Sequence, residues 1–241
     1  MSSKQKKSKP LRLILRYAAE VLIIFLGITI SFLFDRWRED RQKKEDLIEL
    51  SQSLMMDIGG LKAKLIEERG GSETWIRQLD SLRSQRITNS TTERQLFWFY
   101  RLITGQIAFL FESHSPTYLS AANSSLYAEL PDSLKNDLYT LYQVRLPFFQ
   151  LLYNQQGENV THFRNNVVVT SGADLYHQDA TQLRPDLKKL AQELQRPAYG
   201  NFINQVIILE REVYALNESN TKYLTVLEKS LLNYITELKD E

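Results

Sequence analysis

Few side chains in this chain of 241 residues have the types and spacing to do chemistry. Glu158 and His162 stand four apart, which places a carboxylate and an imidazole on one face of a helix, and Asp174, His177 and Asp179 follow downstream. Imidazole nitrogens and carboxylate oxygens so arranged can hold a divalent metal ion. The set has no signature metal-ligand spacing, and ordinary polar residues account for it more simply. His114 sits between Ser113 and Ser115, a base beside two hydroxyls, but a turn before Pro116 explains the same residues without catalysis. The sequence has no glycine-rich phosphate cradle, no Gly-x-Ser-x-Gly and no His-Glu-x-x-His. With no cysteine, it has no disulfide, thiolate metal site or cysteine nucleophile. These residues assign no cofactor and no enzymatic activity.

The elements that would position such groups are helices, and the chain is organised around Arg16 to Arg41, RYAAEVLIIFLGITISFLFDRWREDR. Val21 to Phe34 is a run without charge, too short to span a bilayer unaided. Tyr17 and Trp37 flank it at a separation of roughly 30 Å of helix, which matches a hydrocarbon core edged by interfacial aromatics. The pattern predicts an uncleaved transmembrane anchor over residues 11–35, with a buried helix of a soluble domain as the alternative. Basic residues decide orientation. Lys4, Lys6, Lys7, Lys9, Arg12 and Arg16 precede the span with no acid among them, and Arg36, Arg38, Arg41, Lys43 and Lys44 follow it interleaved with acids. The small excess on the N-terminal side predicts a cytoplasmic N-terminus. Glu20 is the one ionisable residue between Tyr17 and Phe34. It reads either as a carboxylate snorkelling back toward Arg16 or as a contact to a neighbouring membrane helix.

Arg16-Tyr17, Glu20-Val21, Gly27-Ile28, Ile30, Trp37, Glu39 and Arg41 also carry a resemblance. The stretch resembles the N-terminal signature of a bacterial domain-of-unknown-function family of single-pass membrane proteins, in which Tyr-x-x-Gly-Glu-Ile precedes a Gly-Ile pair and Asn-x-Trp-Asn-Glu. The chain has Ala19 where that family has glycine, and Asp35 and Arg38 where it has asparagine. The resemblance implies a single-pass bacterial membrane protein, anchored by the stretch that contains Tyr17, Glu20, Gly27 and Trp37; the cytoplasmic N-terminus expected from the basic residues would put the domain on the periplasmic side of the inner membrane. The resemblance implies no reaction, cofactor or substrate.

Around the anchor the chain divides into a basic tail over residues 1–10, a stalk helix over 36–69 and a helical bundle over 72–241 that the stalk packs with. In the stalk, Leu47, Leu54 and Leu61 form one seven-residue track and Ile58 and Leu65 another, with Ser51 the polar member. Gly70-Gly71 predicts its end. In the bundle, Thr92 caps an aromatic helix over Leu96 to Phe111, whose Arg101 argues against a second span. Pro131 and Pro147 predict breaks or kinks. Val167 to Val169 reads as helix or as a short strand. The final helix carries the tracks Phe202, Leu209, Leu216, Tyr223 and Val206, Val213, Asn220, Leu227, Tyr234. The expected fold class is all-α: an N-terminal transmembrane helix continuing into a long stalk helix, followed by a soluble helical bundle.

Beyond residue 46 there are 19 basic and 23 acidic side chains, a balance that argues against nucleic acid as a partner. The remaining partners are the lipid bilayer and either other membrane proteins or a second copy. The interaction surface would use Leu47, Leu54, Ile58, Leu61 and Leu65 of the stalk with Phe202, Val206, Leu209, Val213 and Leu216 of the last helix. Two functions fit these features. The first is a membrane-anchored scaffold or accessory subunit of a complex, favoured by the stalk and the empty motif census. The second is a sensor whose helical domain binds a small ligand near Trp98 to Phe111.

Overall fold

The computed structural model describes residues 9–85, 87–88, 91–104, 115–163, 165–166 and 187–240. Among them every regular element is helical: α1 Lys9–Ser84, α2 Glu93–Thr104, α3 Pro116–Ala122, α4 Ser125–Glu129, α5 Asp132–Tyr139, a π-helical turn Thr140–Arg145, α6 Leu146–Phe163, α7 Leu187–Leu194 and α8 Pro197–Asp240. Val167 to Val169 lies outside the described residues. The chain forms two units, Met1–Leu50 and Ser51–Glu241, and α1 runs through both.

In the first unit the apolar residues of α1 occupy every side of the helix. From Val21 to Phe34 the large ones are all exposed, from Leu26 at 47% to Phe32 at 71%. Of the two hydroxyl residues in the run, Thr29 and Ser31, Thr29 returns its hydroxyl to Phe25 O at 2.9 Å, which satisfies it within the helix. Beyond Phe34 the character changes. Phe34 meets Trp37 edge to face at 6.4 Å, the Arg41 guanidinium lies 5.8 Å from the Trp37 ring, and Arg41 pairs with Glu45 at 3.2 Å. Among the described residues no helix is long and apolar enough to cross a membrane. The physical reason is that Glu20 and Asp35 close the uncharged run at about 21 Å, against a hydrocarbon core of about 30 Å.

The second unit is a helical bundle. Here α1 and α8 lie antiparallel: Lys62 bonds Glu228 at 2.5 Å and, farther along α1 but earlier in α8, Asp80 bonds Arg211 at 2.8 Å. Helix α6 packs on α8 and on α2, and α7 on α2 and α8. One end of the core gathers Trp75, Leu79 and Leu82 of α1, Phe99 of α2, Phe163 of α6 and Val206 of α8. Trp75 keeps its indole N–H satisfied by donating to Leu102 O at 3.3 Å.

Three local expectations are corrected. Helix α1 continues through Gly70-Gly71 to Ser84 rather than stopping at residue 69. Each glycine costs about 1 kcal/mol of helix propensity, whereas burying Trp75, Leu79 and Leu82 returns roughly 1.5–3 kcal/mol per side chain. Pro147 breaks nothing. The preceding turn widens into a π-turn closed by Leu146 N–H donating to Leu141 O, and the proline sits in the first turn of α6, where a missing N–H does least harm. On α8 the first track is buried only at Leu209, and the residues one position on carry more of the burial. Ile203, Glu210, Asn217, Leu224 and Leu231 are buried, while Phe202, Leu216 and Tyr223 are only half-buried. Glu210 and Asn217 hide the true track, because a search for apolar repeats passes over them.

Candidate functional site

Of the weak metal candidates, Glu158 and His162 are both exposed on α6, and the His162 ring nitrogen Nε2 faces Asn166 Nδ2 at 2.8 Å. Asp174, His177 and Asp179 lie outside the described residues. No group of three or more His, Asp or Glu side chains that could hold a metal occurs among the described residues. His114 is likewise outside them. Ser115 serves the fold, since its Oγ caps α3 by accepting from Tyr118 N–H at 3.0 Å.

The stalk and α8 residues expected to form an interaction surface are mostly interior. Leu54, Ile58 and Leu65 are fully buried, Leu47, Val206, Leu209 and Val213 are buried, and Leu61, Phe202 and Leu216 are half-buried. Of the anchor residues, Tyr17, Glu20, Gly27 and Trp37 are all exposed on α1.

Three polar constellations inside the second unit escaped the sequence reading. Asp57 Oδ2 accepts from Ser115 Oγ at 2.6 Å and from Tyr142 OH at 2.5 Å, joining α1 to α3 and to the π-turn. Burial and then the neighbouring Asp57 carboxylate hold the Tyr142 phenol protonated well above its ordinary range. Its ring stacks on Tyr118 at 4.3 Å. A second layer crosses the bundle farther along. Glu210 of α8 accepts from Gln156 Nε2 of α6, and Tyr153 of α6 donates to Glu68 of α1 at 2.9 Å. Burial raises the Glu210 carboxyl above the usual range, hydrogen bonds from Ser72 and Gln156 pull it back, and the Glu68 charge raises it again. In the third, Arg145 lies 4.5 Å over the Tyr223 ring and donates to Ser219 Oγ at 3.3 Å and, more weakly, to Asn220 Oδ1 at 3.5 Å. Asn220, the polar member of the second α8 track, is thus buried and tied to the π-turn.

Beside the Asp57 constellation a groove of about 320 Å³ opens between α3 and α6. Tyr118 and Tyr142 line its inner part, Leu119 and Leu151 its apolar edges, and Gln143 and Asn154 its polar ones. Of the aromatic segment, Trp98, Phe99 and Leu102 do not line it, and residues 105–111 lie outside the described residues. Both hydroxyls are held by the half-buried Asp57 carboxylate, which ties them into the fold.

The fold and these sites define the second unit as an all-α bundle with internal polar layers and an open groove. Comparison with protein-family models, with curated proteins and with solved structures gives no match for the chain.

Proposed function

We propose that the chain is a membrane-anchored helical scaffold, an accessory subunit that holds a bundle at the membrane for other proteins to dock on. The observation that carries this reading is the exposed apolar sleeve of α1 from Val21 to Phe34. An amphipathic helix lying in the membrane plane would keep one polar face. A helix apolar on all sides belongs in a protein core or across a bilayer, and these side chains are exposed. The uncharged run is short by itself, but Glu20 lies only about 4.5 Å along the helix from Tyr17 and can snorkel to the interface. The span then runs from Tyr17 to Phe34, roughly 26 Å, with Trp37 beyond it at the interface. The resemblance at Arg16 to Arg41 agrees with such a span. The basic residues before Tyr17 favour a cytoplasmic N-terminus, with the bundle on the other side of a bacterial inner membrane.

The test is alkaline extraction of membranes carrying the full chain, combined with reporters fused after Glu241. The expected result is retention in the pellet, with an alkaline phosphatase fusion active and a cytoplasm-dependent fluorescent fusion dark. Release by alkaline carbonate sinks the anchor; fluorescence with inactive phosphatase reverses the orientation.

A further inference from the structure

Glu210 is the one acidic side chain that the fold buries among the described residues, at 3% exposure, and a second acid shares its level of the bundle. Gln156 of α6 donates to Glu210, and Tyr153, one turn earlier on the same helix, donates to Glu68 of α1 at 2.9 Å. Ser72 of α1 also hydrogen-bonds Glu210, and the Glu68 charge bears on it. No cation among the described side chains offsets the two acids. Arg211, next to Glu210 on α8, turns to Asp80 at 2.8 Å, and Lys62 of α1 bonds Glu228 at 2.5 Å. On α2 and α7, Arg94 and Lys189 are exposed and Glu193 pairs with Arg196 at 2.8 Å. Neutral donors stabilise a carboxylate without cancelling its charge, so these two carboxyls, one of them shut away from water, cannot both ionise without cost.

The other fastenings decide which helix yields. Along α1 the layer lies between Lys62 and Asp80, whose ion pairs tie that helix to α8. Helix α6 is fixed at its start, where Leu146 and Phe149 are fully buried and the π-turn before them ties Tyr142 to Asp57 and Arg145 to Ser219. Its second half is held by the neutral donors Tyr153 and Gln156 and by Val160 and Phe163, and Gly157 weakens the helix one residue after Gln156. We propose that this layer is a pH-governed latch on the second half of α6: with Glu210 protonated, residues 153–163 are held against α1 and α8, and with both carboxyls ionised they loosen and uncover Val160 and Phe163 while the π-turn keeps the first half in place. Burial, and after it the Glu68 charge, raise the Glu210 carboxyl above its ordinary 4.5. The latch is therefore fully closed below about pH 4.5 and opens as pH rises through the folded value. It belongs to the bundle alone and does not depend on the anchor.

The test is amide hydrogen exchange of the full chain in detergent, read by mass spectrometry at about pH 5 and about pH 8 and corrected for the intrinsic rate of each amide. Peptides covering residues 153–163 should lose protection by about threefold or more at the higher pH, while peptides covering residues 134–149 and 213–231 change little. Glu210→Gln keeps an acceptor for Gln156 and removes the charge, and should leave residues 153–163 protected at both pH values. Tyr153→Phe removes a donor without removing a charge, and should loosen the same residues at both pH values while the dependence on pH remains. Protection of residues 153–163 that does not change with pH, a loss shared equally by all three regions, or a dependence that survives Glu210→Gln overturns the latch.

Discussion

Helix α1 carries two surfaces built from the same residue types with opposite arrangements. Between Val21 and Phe34, Val, Leu, Ile and Phe point in every direction and stay exposed; between Leu54 and Leu82 most keep to one stripe, in which Leu54, Ile58, Leu65, Leu79 and Leu82 are buried, and Ile66 is the exposed exception. The intervening residues explain the difference. In the second stretch Gln52, Lys64, Glu67, Arg77 and Gln78 occupy the outward side, so the helix can satisfy water on one face and a core on the other. In the first, no such face exists. Hydrophobicity alone does not distinguish a core stripe from a membrane sleeve. Its angular distribution does.

The strongest test of that contrast is a pair of substitutions with opposite consequences. Leu65→Ala opens a cavity at a fully buried site and should cost about 2–5 kcal/mol, read as a lower denaturation midpoint of the bundle with membrane retention unchanged. Phe25→Arg puts a charge in the middle of the sleeve and should cost about 2.5–3.5 kcal/mol of insertion, read as release from the membrane with the bundle's midpoint unchanged. If Phe25→Arg instead unfolds the bundle, or Leu65→Ala releases the chain, the two surfaces are not distinct in kind.

A smaller effect is expected at Glu210, where the second surface departs from its own rule. The groups around it are Glu68 and Ser72 from α1 and Tyr153 and Gln156 from α6, with no cation among them. Its folded carboxyl titrates above the ordinary value of 4.5, so protonation favours the folded state. This contribution is complete below about pH 4.5 and is lost as pH rises through the folded value, when the unfolded chain ionises more readily than the folded one. Glu210→Gln keeps an acceptor for Gln156 and removes the titration. Thermal denaturation across this range should show a flatter pH dependence for the variant and a higher midpoint at neutral pH. An unchanged slope would mean that the layer accommodates the charged carboxylate without cost.

The stripe was legible in sequence because period is written in residue types: Leu54, Ile58 and Leu65 fall at its spacing, and the structure buries all three. The layer was illegible for the converse reason. Glu68, Tyr153, Gln156 and Glu210 are far apart in the chain, and a polar residue on a helix is assigned to solvent by default. One signal was present. Glu210 stands at four and three residues from Val206 and Val213, inside the stripe rather than opposite it, and an acid in that register marks a polar layer. The π-turn had a signal too, in Pro147, but a proline announces only that a regular α-turn fails there. Whether the chain breaks, kinks or widens depends on Tyr142 and Arg145 finding Asp57 and Tyr223, contacts that no local spacing contains. The groove follows from the same nonlocal placement of α3 against α6.

The smallest expected effect concerns the glycines where the sequence pattern would have stopped α1. Gly70 and Gly71 are exposed, and a Cβ added at either would meet nothing within 4 Å. The helix passes through them because the stripe on either side is buried, so they weaken the helix without serving its packing. Gly70→Ala and Gly71→Ala should each stabilise the bundle by about 1 kcal/mol, partly by restricting the unfolded chain. For a bundle of this size that is a rise of about 2–4 °C in the denaturation midpoint. Gly59 provides an internal contrast, since its added Cβ would lie 3.4 Å from Glu228 Oε1, the carboxylate that pairs with Lys62. Gly59→Ala should therefore stabilise less than Gly70→Ala. If all three gain equally, the Glu228 carboxylate moves aside freely and its ion pair contributes little. If Gly70→Ala and Gly71→Ala lower the midpoint, these glycines face something that binds close to the helix, and the outward side of α1 is a contact surface.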